Sequence, residues 1–263
     1  MAKLLFVILA HSDEFSLTHL VNNTRFYCPN STIVLYNSGD DPNLGKSLDL
    51  EHFPTPRKLE YAKVVRFFFD VFEWLHYSKY EFDYFINLET DMLFIRRGYE
   101  AFVHQHSSMY DYIGPDYELH VPNQSRWRPF RSLKPEFQAW FEFLGFNYFN
   151  RAFSPGQIFS KRYISTLVSH PSYLKLIKLI EQNRSFTLQE VLLPTLPDYL
   201  NLQASSYPKE LKWINRYRPY QAVSGIKRAL ATENAFFVHP VYRSIDNPAR
   251  LFVQQLERQK MPS

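Results

Sequence analysis

Apolar residues along this chain come in short continuous runs, and one longer stretch repeats at helical spacing. Leu4–Ala10, 32–36 and 84–88 are runs of the length and bounding expected for strands buried on both faces of a sheet. Only Asn87 interrupts the third. Leu17, Leu20 and Val21 predict a helix between the first two, so the opening segment reads as a βαβ unit. Residues 58–77 predict a helix. Tyr61, Val64, Val65, Phe68, Val71, Phe72 and Leu75 form one stripe, and Lys63, Arg66, Asp70 and Glu73 the opposite one. Further helices are predicted over 97–107, from about Lys161, over 172–182, from Thr187, and over 248–260. Short strands are expected within 109–115, after Gly156, and over 235–238. Residues 116–150 keep no clear period until about Glu136, and read as an excursion that shapes a pocket. The alternation of strands and helices predicts an α/β fold. Its central sheet is expected to be mixed and mostly parallel, flanked by helices, within one domain over 1–263.

Composition supports a large core. Hydrophobic residues make up 45%, with 24 Phe and 18 Tyr, so disorder is not the default. Seven Gly argue against a glycine-rich phosphate loop. The net charge of +4 suits a phosphorylated ligand or an anionic surface and does not indicate nucleic acid. Cys28 is the only cysteine, which excludes an intrachain disulfide and a zinc site built from several cysteines. That is compatible with a reducing compartment, and the expected location is cytoplasmic. Leu4–Ala10 lacks a small-residue cleavage site and reads as a strand, not a leader. No run approaches the ~18 apolar residues of a membrane span. Basic and aromatic surface is compatible with peripheral membrane contact, and the oligomeric state is open.

The candidate chemistry starts at Glu89-Thr90-Asp91, where the buried run 84–88 ends. Ligands of open α/β sheets gather at carboxyl ends of strands. Carboxylates at i and i+2 of an extended segment point the same way and can share a divalent cation. The bland reading makes them solvated turn residues. His11, Ser12 and Asp13 end the first strand, and Asn37 and Asp40 follow the second. The apolar run 235–238 ends in His239-Pro240, with Arg243 close behind.

In order, these pieces resemble a glycosyltransferase of the GT-A fold over roughly residues 4–245. The stretch from Leu4 to Asp13 is similar to the family's first nucleotide-binding strand. Glu89-Thr90-Asp91 resembles its Asp-x-Asp signature, with Glu in place of the first Asp. Tyr110-Asp-Tyr-Ile-Gly-Pro resembles the strand that often follows. Phe153-Ser-Pro-Gly-Gln-Ile-Phe-Ser resembles the turn and strand beneath the acceptor. Gln189-Glu190 is similar to the acidic pair that supplies the base of inverting members. His239 stands where some metal-dependent members place a histidine.

The resemblance implies sugar transfer from a nucleotide-sugar donor to an acceptor hydroxyl on a glycan or glycolipid, in glycan biosynthesis. It assigns residues 1–115 to the donor half and 116–263 to the acceptor half and C-terminal helix. His11, Ser12, Asp13, Asn37, Asp40, Lys63, Glu89 and Asp91 would bind the nucleotide sugar. Asp91 and His239 would hold Mn2+ or Mg2+. Trp127, Ser154 and Gly156 would meet the acceptor, with Trp140 and Tyr148 as further apolar walls. Glu190 would be the base of an inverting transfer. A structural alternative exists for Glu190: Thr187-Leu-Gln-Glu190 has the form of a capping box, with Glu190 reaching back to the Thr187 N–H.

Two other functions are readable. Ala10-His11-Ser12-Asp13-Glu14 resembles the opening motif of zinc-dependent sugar N-deacetylases, although its proline and one Asp are missing. A non-catalytic carbohydrate-binding protein would use the aromatic stretch 127–149 as its platform.

Overall fold

A computed structural model describes residues 2–78 and 80–260. The chain begins with β1 (Leu4–Ala10), α1 (Glu14–Tyr27), β2 (Thr32–Asn37) and β3 (Glu51–His52), then α2 (Val65–Tyr77). Next come β4 (Tyr84–Glu89), β5 (Leu93–Phe94), α3 (Tyr99–Ser107) and β6 (Tyr112–Gly114). The middle holds α4 (Arg128–Leu133), α5 (Phe137–Leu144), β7 (Ile158–Ser160), α6 (Lys161–Val168), α7 (Tyr173–Gln182), α8 (Gln189–Tyr199) and β8 (Ala204–Ser206). The chain closes with α9 (Val223–Leu230), β9 (Phe237–Val238) and α10 (Pro248–Lys260).

The chain separates into two compact units. The first is assembled from Met1–Lys58, Phe82–Ser108 and Pro208–Ser263. Its strands run parallel in the order β3-β2-β1-β4. All seven residues of β1 are buried, as an inner parallel strand covered on both faces requires. In the same unit β5 pairs antiparallel with β9, Leu93 opposite Val238 and Phe94 opposite Phe237. Asn23 of α1 substitutes for a further strand beside β5: its Oδ1 accepts from Phe94 N at 2.6 Å and its Nδ2 donates to Phe94 O at 2.8 Å.

The second unit comprises Leu59–Glu81 and Met109–Tyr207. Here β6 runs parallel to β8 and antiparallel to β7, so the strands are mixed and mostly parallel, as expected. Phe68 and Phe72 of α2 pack on Phe159 of β7 with ring centroids 5.8 and 5.1 Å apart. Helix α2 starts later than its apolar stripe suggests. Ala62 has φ 62°, a conformation a right-handed helix cannot propagate, so residues 58–64 stay outside it. The stretch 116–150 is more ordered than its sequence implies. It contains α4 and α5, and Phe137 and Phe141 close on Phe149 at 5.3 and 5.1 Å. Trp140 is 1% exposed and belongs to this core.

Asp111, just before β6, ties the second unit together. It accepts from Arg162 Nε at 2.7 Å, Ser160 Oγ at 3.1 Å and Gln203 N at 3.1 Å. Burial pushes its carboxyl up, but the Arg162, Gln203 and Ser160 donors outweigh that and hold it below the ordinary carboxylate range. A depressed folded pKa means the stabilisation is complete above the ordinary range and is lost as pH falls through the folded value. Asp111→Asn is expected to cost about 1–2 kcal/mol in urea unfolding at pH 7. Arg162 is mostly exposed, which keeps the figure low. The difference from wild type should shrink on acidification.

Candidate functional site

The antiparallel β5–β9 ladder carries chemistry as well as structure. It sets the chain after β9 beside the turn after β4, and Val241 N donates to Asp91 O at 2.8 Å. His239 and Asp91, far apart in sequence, thereby meet. His239 Nε2 lies 3.3 Å from Asp91 Oδ1, and Arg243 Nη2 lies 3.0 Å from the same oxygen. Glu89 completes the group: one ligand atom from each of Glu89, Asp91 and His239 falls within 4.8 Å of the others. Asp91 and His239 are 6% and 4% exposed. The site stands at the carboxyl end of β4 and next to that of β1, because Leu9 pairs with Glu89.

The electrostatics are those of a cation site. Burial, then the neighbouring Asp91 charge, raise the Glu89 carboxyl above its ordinary value, with His239 and Arg243 opposing. Burial also pushes Asp91 up, but His239 and Arg243 outweigh it and bring it down to about 2. His239 Nδ1 is 3.0 Å from Arg216 O. A carbonyl can only accept, so Nδ1 carries a proton and Nε2 is the nitrogen that faces Asp91. A bare Nε2 and a carboxylate oxygen at 3.3 Å repel unless a proton or a metal ion lies between them. Two carboxylates and one imidazole form a donor set suited to Mn2+ and, through its oxygens, Mg2+. The residues therefore fit a divalent cation, with Glu89 as a third donor beside the expected Asp91 and His239.

The other strand-end residues surround this group in different roles. His11 Nδ1 contacts Ser38 Oγ, and partial desolvation plus the Arg243 charge lower its pKa. A Cβ on Gly39 would lie 1.7 Å from His11 O, so only glycine lets these two strand ends close. Ser12 is exposed. Asp13 caps α1, accepting from Ser16 N at 3.1 Å. Asn37 organises its own turn, accepting from Gly39 N at 3.0 Å and donating to Asp41 O at 2.7 Å. Asp40 pairs with Lys58 on the surface. Glu14 accepts from Gly45 N at 2.8 Å and Ser47 Oγ at 3.0 Å. His11, Asp13 and Glu14 form no three-ligand cluster among the described residues, which leaves the deacetylase reading without support.

The remaining candidates lie in the second unit. Lys63 pairs with Glu60 and is exposed. Trp127 precedes α4 and lies under the Arg151 guanidinium at 5.6 Å. Ser154 is buried, and Gly156, at φ 83°, occupies a conformation that suits glycine. Its carbonyl accepts from Tyr207 Oη at 2.8 Å. Glu190 opens α8 and is 8% exposed. The alternative capping box does not take its usual form: the residue before α8 is Leu188, with no side-chain cap bond. Thr187 has φ 50°, and its N–H donates to Ala62 O at 2.8 Å.

One residue at this site escaped the sequence reading. Arg250 on α10 is 0% exposed, and its Nη2 donates to Thr90 O at 3.1 Å. Burial lowers its pKa to about 10, against the charges of Asp13 and Asp91.

No known family profile matches the chain, and no curated protein is detectably similar to it in sequence. Solved structures do match. An active-site mutant of LgtC superimposes with TM-score 0.53 at 10% identity, covering 98% of each chain. A galactosyltransferase LgtC complex with donor and acceptor sugar analogues gives TM-score 0.49 at 8% identity, covering 98% of each chain. The apo glycosyltransferase GlyE of Streptococcus pneumoniae TIGR4 gives TM-score 0.50 at 13% identity, covering 99% of this chain and 61% of that one. The first and third likenesses establish the fold, which is GT-A-like.

Proposed function

We propose that this chain is a glycosyltransferase that moves a sugar from a nucleotide-sugar donor to a hydroxyl of a glycan or glycolipid acceptor. The carrying observation is the Glu89–Asp91–His239 group, half-buried at Glu89 and buried at the other two, with Arg243 against it, at the carboxyl end of a parallel strand in a GT-A-like fold. Glu89, Asp91 and His239 hold the divalent cation, which when bound supplies positive charge to the donor's diphosphate. Arg243 adds a fixed positive charge where negative charge grows on the leaving group, and such charge is most effective when it needs no reorganisation. The loops after β1 and β2, with His11, Ser12 and Asn37, bind the nucleoside. Trp127, Ser154 and Gly156 serve the acceptor. Glu190 takes the acceptor proton, which makes the transfer inverting. Its support is a buried carboxylate at the start of α8.

A thermal-shift screen over nucleoside diphosphates, each with and without Mn2+, tests this reading. A ligand that binds the folded state raises the midpoint by mass action; at 100 times its Kd the gain is about 2.7 kcal/mol. One base is expected to stand out, with its shift enlarged by Mn2+. Absence of any shift across the whole screen would reject a nucleotide-dependent enzyme.

A further inference from the structure

Arg250 is a fully buried charge on the first turn of the C-terminal helix. Asn247 fixes that turn, its Oδ1 accepting from Ala249 N at 3.1 Å and Arg250 N at 3.2 Å. The guanidinium uses a different nitrogen for each of three partners. Nη2 donates to Thr90 O at 3.1 Å, Nε donates to Tyr242 O at 3.3 Å, and Nη1 lies 3.1 Å from His19 Nδ1. Thr90 is the residue between Glu89 and Asp91. Tyr242 precedes Arg243. One planar group thus grips the two segments that deliver Asp91 and Arg243, and α1 supplies its third partner. His19 is itself buried, with Glu257 Oε1 3.7 Å from its Nε2.

We infer that Arg250 is a positioning residue of the cation site. It sets the 89–91 turn and the 242–243 segment at the separation at which Asp91, His239 and Arg243 converge. This rests on the cation reading above. A core needing only volume would use a Leu or Met here, since a buried charge is costly to desolvate. A lysine would not substitute, because an ammonium cannot place three donors in the fixed plane of a guanidinium. Partners of this kind, one shell behind the ligands, typically control metal affinity by about 10–100-fold.

The test measures Mn2+ binding directly, by the loss of the free Mn2+ electron paramagnetic resonance signal, independent of turnover. Arg250→Lys and Arg250→Met are compared with wild type. His19→Leu is a milder lesion behind the guanidinium. Asp111→Asn is a control that destabilises the other unit. Arg250→Lys and Arg250→Met are expected to lose about 10–100-fold in Mn2+ affinity. His19→Leu should lose roughly 3–10-fold in the same direction, and Asp111→Asn nothing. Folded Arg250 variants that bind Mn2+ within twofold of wild type overturn the inference. Should those variants fail to fold, unchanged Mn2+ affinity in His19→Leu overturns it instead. A wild-type protein that takes up no Mn2+, alone or with a nucleoside diphosphate, rejects the cation reading itself and is distinguishable from either outcome.

Discussion

Asp91→Asn is expected to leave the protein folded and to remove Mn2+-dependent binding of the nucleoside diphosphate. Asparagine keeps the shape and loses the charge. The stability change is the balance of two opposing contributions. The Asp91 carboxyl is drawn from 3.8 down to about 2, which corresponds to roughly 2 kcal/mol of stabilisation at neutral pH. A depressed carboxyl stabilises above its ordinary range and stops doing so as pH falls through the folded value. Glu89 has the opposite sign: its carboxyl is raised by burial and by Asp91, so ionising it costs stability at neutral pH. Removing the Asp91 charge relieves that cost, and the net change should be well under 2 kcal/mol. Binding has no such compensation. A direct ligand is lost, so cation affinity should fall by at least the ~10–100-fold typical of a displaced supporting partner. Turnover should fall by about 10²–10³-fold, the scale of losing one stabiliser of developing charge. Calorimetric titration of Mn2+ and nucleotide against a variant with an unchanged unfolding midpoint is the measurement. Wild-type affinity for both would take Asp91 out of the site.

Glu190→Gln is expected to lower turnover by about 10²–10⁴-fold, the range for a general base, while donor affinity stays put. The backbone of the turn does not depend on the carboxylate. Glu190 N donates to Thr187 O at 3.0 Å, Ala152 N donates to Glu190 O at 3.0 Å, and the Thr187 N–H goes to Ala62. All of these survive the substitution. A capping role would have produced the reverse pattern, with about 0.5–2 kcal/mol lost and turnover per folded molecule intact. Proton NMR of the newly formed glycosidic bond supplies a second readout, because a single attack assisted by Glu190 inverts the anomeric centre. Near-normal rates in the variant, or a product that retains configuration, would strip Glu190 of the role.

Strands and the last helix were legible wherever burial acts alone. β1 and α10 fall on the predicted residues because a seven-residue apolar run and a 3.6-residue stripe leave little choice. Local pattern failed where a distant segment intervened. The stripe of 58–77 begins too early, since Ala62 is bent to receive the Thr187 N–H. The capping box beside it does not take its usual form. At the site, Glu89 and Asp91 were readable because they stand two residues apart where a buried run ends, and His239 because it ends an apolar run. Arg250 was not, because an arginine on an amphipathic helix reads as solvated. Only the fold shows that it is fully buried and set against Thr90 and Tyr242.

The first unit is drawn from three separate stretches of chain, and this has a consequence for biosynthesis. Asp91 leaves the ribosome 148 residues before His239, and at roughly 5–20 residues per second that is on the order of 10 s. For that interval the acidic pair lacks the imidazole and both arginines, and β5 lacks its ladder partner. Contacts of such sequence separation form late and slow folding. A chain cut short before β9 would keep β1, β2 and β4 and lose His239 and Arg243, the counter-charges to Asp91. Any truncation meant to isolate a minimal nucleotide-binding fragment must therefore keep the far end of the polypeptide, not only its first hundred residues.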